Sequence, residues 1–276
     1  MTVMTRKRLA AQLRSGQIAR VRRGVYAPTS PGVVERLAAL DLRTATSIVA
    51  CMGTAAALYG FDTECDGRVH ILDPGLRVRP DDDVMVHQRV GAPLRRVSGR
   101  LATTPAWTAV EVARTLRRPR ALATFDAALH ARACTTTELG AAIREQKGRR
   151  GIVALRDLLP HADWRAESPM ESEMRLVFID WRVPAPELQY EITDNCGQLW
   201  RVDFAWPEAK LAAEYDSVAW HATPEAFLHD RLKTRRLQEC GWTTISAVVD
   251  DIHRHPEDLV RRVFGHLDGR SRALAA

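Results

Sequence analysis

Residues 201–216 have the sequence RVDFAWPEAKLAAEYD, and the alternation of apolar and polar side chains along them predicts a β-hairpin. The register that pairs Trp206 with Leu211 also places Asp203 opposite Glu214. Two carboxylates that face each other across a strand pair repel unless a cation lies between them. A divalent ion, Mg²⁺ or Mn²⁺, is the simplest such cation, so the hairpin predicts a metal site. The predicted apolar face consists of Val202, Phe204, Trp206, Leu211, Ala213 and Tyr215.

Basic and acidic residues are distributed unequally along the 276-residue chain. Residues 1–165 contain 27 Lys and Arg against 15 Asp and Glu, whereas residues 166–276 contain 13 against 19. This asymmetry favours a first half that contacts a polyanion and a second half that holds cations. The length predicts two domains, or three small ones.

The five cysteines include no C-x-x-C pair and therefore predict free thiols in a reducing cytoplasm, without a disulfide or zinc framework. No apolar run reaches the ~18 residues of a membrane span, and no signal-peptide pattern follows the start. We expect a cytoplasmic protein with no membrane partner.

The N-terminal residues predict a partial winged helix-turn-helix. Thr5 caps a short helix at 6–13, and residues 17–26, with a bend at Gly24, have the pattern of a β-ribbon. No acidic residue precedes Glu35. We expect this region to bind DNA, although a solvated basic terminus would have the same composition. The candidate DNA-binding residues are Arg6, Lys7, Arg8, Arg14, Arg20, Arg22 and Arg23.

Three regions are predicted. The partial winged helix occupies residues 1–30, an α+β middle region follows at 31–160, and a C-terminal α/β domain occupies 166–267. The middle region is predicted to contain a helix at 47–60, three strands and then four helices between 105 and 159. In the C-terminal domain a helix begins after Ser168. The predicted order there is α-β-β-β-α-β-α, which indicates a mixed sheet flanked by helices.

Several motifs of this domain resemble the PD-(D/E)XK nuclease superfamily and, within it, the very-short-patch-repair-like endonuclease domain. They are Glu171-Ser-Glu-Met-Arg-Leu, Arg201-Val-Asp203-Phe, Ala213-Glu214-Tyr-Asp216, His221 and Asp230-Arg231 followed by Arg235-Arg-Leu. The resemblance implies a restriction-endonuclease-like fold. Ahead of it, residues 17–28 are similar to the winged helix of the abortive-infection antitoxin AbiEi, and the middle region, 31–160, resembles that antitoxin as well.

The resemblance implies a catalytic role for several residues. Asp203 and Glu214 would be metal ligands, Glu171 would orient metal-bound water, and His221 would act as a general base. Asp216 occupies the position of the (D/E)XK lysine, which is absent. The two arginines Arg231 and Arg235, one helical turn apart, would bind the scissile phosphate.

Each of these residues also has a structural interpretation. Glu171 lies three residues after Ser168, which is the spacing of a helix capping box. Glu214 could pair with Arg201 across the hairpin, and Asp216 could begin a turn. His221 could be a surface residue, and Arg231 and Arg235 could form a solvated helix face.

Two functions follow from these alternatives. The first is a metal-dependent DNA endonuclease of repair or defence, and a nuclease that acts on RNA or branched DNA is a further variant of it. The second is a DNA-binding regulator, such as an antitoxin-like repressor, with a degenerate nuclease fold. DNA is the expected partner in both, with a toxin or a repair protein as the expected protein partner, and the sequence leaves the oligomeric state open.

Overall fold

The structure is a computed structural model that describes residues 5–22, 24–28, 31–75, 83–88, 91–217 and 224–274, without the side chains of 22, 224–227 and 269–274. The chain forms two compact units. The first comprises Met1–Leu116 and Ala131–Leu159, and the second comprises Arg117–His130 and Pro160–Ala276. A segment of the predicted middle region, Arg117–His130, is thus part of the second unit.

The N-terminal helix and ribbon have the predicted form. Helix α1 (Arg6–Arg14) begins at Thr5, whose hydroxyl accepts the backbone N–H of Arg8 at 3.4 Å. Strands β1 (Ile18–Arg22) and β2 (Val25–Pro28) pair antiparallel. No residue of α1, all of which the structure describes, is buried.

The rest of the first unit is a mixed α and β structure. Ala50 bridges both Ile71 and Ala102, so the residues before Met52 are extended and the helix predicted at 47–60 begins later. The strand predicted at 94–101 is a hairpin instead, because Ser98 and Gly99 turn the chain with positive φ angles of 49° and 74°. The elements are α2 (Val33–Thr44), α3 (Met52–Tyr59), β3 (Val69–Leu72), β4 (Val84–His87), β5 (Leu94–Val97), β6 (Arg100–Thr103), α4 (Pro105–Ala113), α6 (Thr136–Glu145) and α7 (Ile152–Leu158).

The second unit contains a four-stranded mixed sheet, which confirms the predicted α/β class. The strand order is β10-β9-β8-β7, with β9 and β10 parallel and the other pairs antiparallel. Helix α10 is an addition to the predicted order, because the last strand ends at Ala247 and Asp251 caps a short helix through the N–H of Val248. The elements are α5 (Arg118–His130), α8 (Pro169–Asp180), β7 (Glu187–Thr193), β8 (Leu199–Trp206), β9 (Leu211–Tyr215), α9 (Pro224–Glu239), β10 (Thr243–Ala247), α10 (Val249–His253) and α11 (Pro256–Leu274).

Apolar clusters cover both faces of this sheet. Phe204, Leu211 and Ala213 pack with residues of α8, α10 and α11, whereas Ala205 and Ala212 point to the opposite face and pack with Leu237 of α9. The alternation predicted for the hairpin therefore holds near its turn. Val202 is an exception: it packs in the second cluster with Ala205 and not with Phe204. The alternation along β8 is thus broken at Asp203. This residue lies opposite Gln189 of β7, whose φ angle of 51° makes that strand irregular.

Helices α5 and α8 are joined by buried ion pairs. Arg175 Nη2 lies 2.6 Å from Asp126 Oδ2, and both side chains are almost fully buried. Glu173, whose side chain is 1% exposed, is contacted by Arg117 at 3.0 Å, Arg120 at 3.4 Å and His253 at 2.8 Å. These contacts fix the helix that carries Glu171.

Candidate functional site

Asp203 lies where strands β8 and β9 separate. The predicted register of the hairpin is confirmed, since Trp206 pairs with Leu211 and Phe204 with Ala213. One residue further, the side chain of Asp203 takes the place of a backbone acceptor: its Oδ2 accepts the N–H of Tyr215 at 2.9 Å. The aspartate thereby ends the ladder and leaves the end of β9 paired with β10 alone.

The charge of Asp203 is opposed by its surroundings. Burial raises the pKa of this carboxyl group, and the negative charges of Glu214 and Glu167 raise it further. The N–H of Tyr215 and the ammonium of Lys233 act in the opposite direction without cancelling the rise. The structure therefore brings Glu214 close enough for its charge to act on Asp203, as the hairpin register predicts.

Glu171 reaches the same region from the first turn of α8. Ser168 caps this helix and accepts the N–H of Glu171 at 3.1 Å. The Glu171 carboxylate accepts the N–H of Glu167 at 3.0 Å and the side-chain amide of Gln189 at 2.8 Å. Burial raises its pKa, and Asp203 adds to the rise. One half of the capping box is therefore present, because Ser168 accepts the N–H of Glu171. In the other half, the Glu171 carboxylate would accept the N–H of Ser168, but it accepts donors from Glu167 and Gln189.

Gln189 holds its amide against Glu171 from a strained backbone position. Its φ of 51° lies in the left-handed region, which non-glycine residues rarely adopt. Strain of this kind costs on the order of 1–3 kcal/mol and persists where the surroundings fix the residue. Sequence reasoning missed Gln189, because nothing in a strand pattern marks a residue with positive φ.

Glu214 is paired with a lysine from the neighbouring helix. Lys233 Nζ forms an ion pair with Glu214 Oε1, and the two side chains are only 17% and 24% exposed. The alternative partner considered for Glu214, Arg201, pairs with Glu167 at 2.6 Å. The ammonium of Lys233 thus reaches the end of β9 from α9. One signal pointed to it: Lys233 is one of four lysines in a chain with 36 arginines.

A cleft of about 980 Å³ opens beside this pair, between the end of β9 and α9. Asp216, Arg231 and Arg235 line it together with Glu214 and Lys233, and the first three are exposed. Arg235 also lies 3.4 Å from Glu239. His221, Arg23 and the side chain of Arg22 fall outside the described residues.

The carboxylates do not fit a divalent metal ion in this arrangement. Asp203, Glu171 and Glu214 each accept a donor from the protein itself. In the described part of the chain, no group of three or more His, Cys, Asp and Glu side chains is placed to hold a metal. A hard cation needs several oxygen ligands at about 2.0–2.6 Å.

Relatives of the chain are known from Mycobacterium tuberculosis. Over 265 residues it is 60% identical to uncharacterized protein MT2308 of strain CDC 1551 / Oshkosh and to uncharacterized protein Rv2248 of strain ATCC 25618 / H37Rv. The alignments cover 96% of this chain and 98% of each relative. This chain belongs to their family. No solved structure gives a significant match.

Residues 48–161 of the chain match the family model of the AbiEi antitoxin C-terminal domain. The antitoxin-like character predicted for the region before the sheet domain is thereby confirmed over these residues. The match does not extend to residues 166–267, whose nuclease resemblance stays a prediction. It begins after the helix and ribbon, so the winged helix stays a prediction as well.

Two further expectations bear on the class of protein. The cysteines, all within the described ranges, form no disulfide, as predicted. Among the helices that the structure describes, none combines the length and the apolar character needed to cross a bilayer.

Proposed function

We propose that this protein is a DNA-binding regulator of the antitoxin-like type, in which the C-terminal sheet domain serves as a nuclease-like scaffold. The match of residues 48–161 to an antitoxin domain carries this proposal. An antitoxin acts on a toxin, so the proposal includes a toxin protein as partner in addition to DNA.

The basic helix α1 is the proposed DNA contact. Arg6, Lys7, Arg8 and Arg14 are all exposed along it, and Arg20 is exposed on the adjoining strand β1. Exposed Arg and Lys side chains bind phosphates and release the counterions of DNA. Phosphate contacts give affinity that does not depend on the base sequence. Recognition of a particular DNA site therefore requires other residues.

A salt titration of DNA binding tests the proposal. The probe is a fluorescent duplex that carries the sequence upstream of the protein's own gene, titrated with the full chain between about 50 and 200 mM salt. A triple variant, Arg6→Gln, Lys7→Gln and Arg8→Gln, should bind more weakly. Its slope of log K against log salt should be shallower by roughly 2–3, because each lost phosphate contact removes about 0.9.

A second triple variant with the same change of charge is the control. Arg144→Gln, Lys147→Gln and Arg150→Gln alters two arginines and one lysine that are also exposed, in and just after α6. This variant should retain the slope of the wild type. Equal losses in both variants, or a wild type that binds no duplex at the lowest salt, would contradict the proposed interface.

A metal-dependent endonuclease is the second candidate, with Asp203, Glu214, Glu171, Asp216 and the undescribed His221 as its proposed site residues. The observation in its favour is that burial raises the pKa of both Asp203 and Glu171, and that the charge of Asp203 adds to the rise at Glu171, in a domain with a cleft. Nicking of supercoiled plasmid with Mg²⁺ or Mn²⁺ tests it. Cutting that is lost in Asp203→Ala supports the nuclease, whereas DNA binding without any cutting supports the regulator.

A further inference from the structure

Lys233 is held over the sheet by the packing of its own helix. Leu237 lies one turn further along α9, is fully buried and packs against the sheet with Ala205 and Ala212. Residues four apart in a helix share a face, so the packing of Leu237 directs Lys233 toward the sheet. Arg231 and Arg235, each two residues from Lys233, lie on the opposite side of the helix and are exposed.

The ammonium of Lys233 contacts one carboxylate and acts electrostatically on a second. It forms an ion pair with Glu214 Oε1, and its charge also acts on Asp203. Asp203 and Glu214 are both negative and repel each other. A cation near both reduces this repulsion. Lys233, paired with Glu214 and acting on Asp203, thus supplies the positive charge for which the hairpin pattern predicts a metal ion.

One oxygen of each neighbouring carboxylate also accepts hydrogen bonds from the protein. Asp203 Oδ2 accepts the N–H of Tyr215, and Glu171 Oε2 accepts the amide of Gln189 and the N–H of Glu167. A metal bound to Glu214 would lie within a few ångströms of the Lys233 nitrogen, where two positive charges repel strongly in a half-buried site. Metal and lysine therefore compete for the same position.

From this geometry we infer that Lys233 is an internal counter-ion that occupies the cation position of the Asp203–Glu214 pair and closes it to divalent metals. The pair is then a latent metal site. Removal of the ammonium opens it, because the two carboxylates are left facing each other without a cation. The inference goes beyond the proposed regulatory role and does not depend on DNA binding.

Titration of the full chain with Mn²⁺ alone, followed by electron paramagnetic resonance of the unbound ion, tests this inference without DNA or activity. Wild type should show no Mn²⁺ site that depends on Asp203. Lys233→Met should bind Mn²⁺ roughly tenfold or more tightly than wild type, since one nearby like charge is gone. The double variant Lys233→Met, Asp203→Asn should lose that gain.

Lys210→Met is the matched control. It makes the same chemical change at a lysine of the same unit whose Nζ contacts the carbonyl oxygen of Cys240 at 3.0 Å, and it should bind Mn²⁺ as wild type does. Folding of each variant is checked by its thermal melt. A folded Lys233→Met variant with no gain in Mn²⁺ affinity overturns the inference.

The wild type provides a test that requires no lysine variant to fold. Micromolar Mn²⁺ binding by wild type that Asp203→Asn abolishes would show that the ammonium does not close the pair, and the inference would be wrong. Lys233→Gln, which keeps a polar group of similar reach, repeats the comparison if Lys233→Met unfolds. The DNA titration is a separate measurement. If it contradicts the regulatory proposal, the Mn²⁺ result can still be interpreted.

Discussion

Asp203 ends the pairing of β8 with β9 and places a second carboxylate near Glu214. Aspartate is disfavoured within strands, and here its carboxylate replaces the next backbone acceptor by taking the N–H of Tyr215. The gain of this hydrogen bond is opposed by burial of the charge beside Glu214. The residue therefore has a local structural role and a net electrostatic cost.

Replacement of Asp203 by asparagine should stabilise the fold at neutral pH. A raised pKa means that the folded state keeps the proton to a higher pH than the unfolded chain, so the contribution of Asp203 to stability is lost as pH rises above 3.8. Asp203→Asn removes that loss and should add on the order of 0.5–1 kcal/mol to the free energy of unfolding at pH 7. Urea denaturation at pH 7 and below pH 3.8 measures it, and the gain should disappear at the lower pH.

Asp216→Asn is the control for this effect. Asp216 follows β9 directly and is exposed, so its substitution should change the free energy of unfolding by less than about 0.5 kcal/mol at either pH. A wild type more stable than Asp203→Asn at pH 7 would mean that the attraction to Lys233 outweighs burial.

At the level of elements, the contact between α5 and α8 depends on a buried ion pair. Asp126→Asn would leave the guanidinium of Arg175 buried without its 2.6 Å partner charge. Breaking a buried pair in this way costs about 3–5 kcal/mol, because one charge stays desolvated. Chemical denaturation of the full chain should show this loss in the transition of the second unit.

A surface pair between the same two helices is the control. Arg118 and Asp180 also join α5 to α8, but each side chain is 45% exposed. Asp180→Asn should cost less than about 1 kcal/mol, since exposed pairs contribute little. Equal losses for Asp126→Asn and Asp180→Asn would show that burial does not decide the strength of the α5–α8 contact.

At the level of the whole molecule, the second unit takes a helix from an earlier part of the chain. Arg117–His130 packs with Pro160–Ala276. A fragment cut at the sequence-predicted boundary, 166–276, therefore lacks both arginines that contact Glu173 and the Asp126 that pairs with Arg175. We expect this fragment to be insoluble or to unfold at much lower urea than the second unit of the full chain.

A fragment that restores α5 should fold. In it, Arg117–His130 is joined to Pro160–Ala276 by a short Gly/Ser linker, which is feasible because His130 Nδ1 lies 3.0 Å from the carbonyl oxygen of Trp164. Its urea midpoint should lie well above that of 166–276. Equal midpoints would show that α5 is dispensable and that the boundary predicted from the sequence is adequate.

Local patterns were sufficient for most elements of the second unit. Period-two alternation gave the hairpin and its register, and the Ser168 cap gave the start of α8, because both depend on neighbours in sequence. The antitoxin-like region was predicted differently, from its resemblance to a known family. Charge asymmetry and the absence of cysteine pairs are likewise properties of composition.

Contacts between distant residues could not be predicted in this way. The pairing of Lys233 with Glu214, the contact of Gln189 with Glu171 and the transfer of α5 to the second unit all join segments separated by 18 residues or more. The sequence by itself determined where acids and bases occur and which face of each element they occupy. Only the tertiary structure decided which charges meet, because burial and partnership are set by how the elements pack.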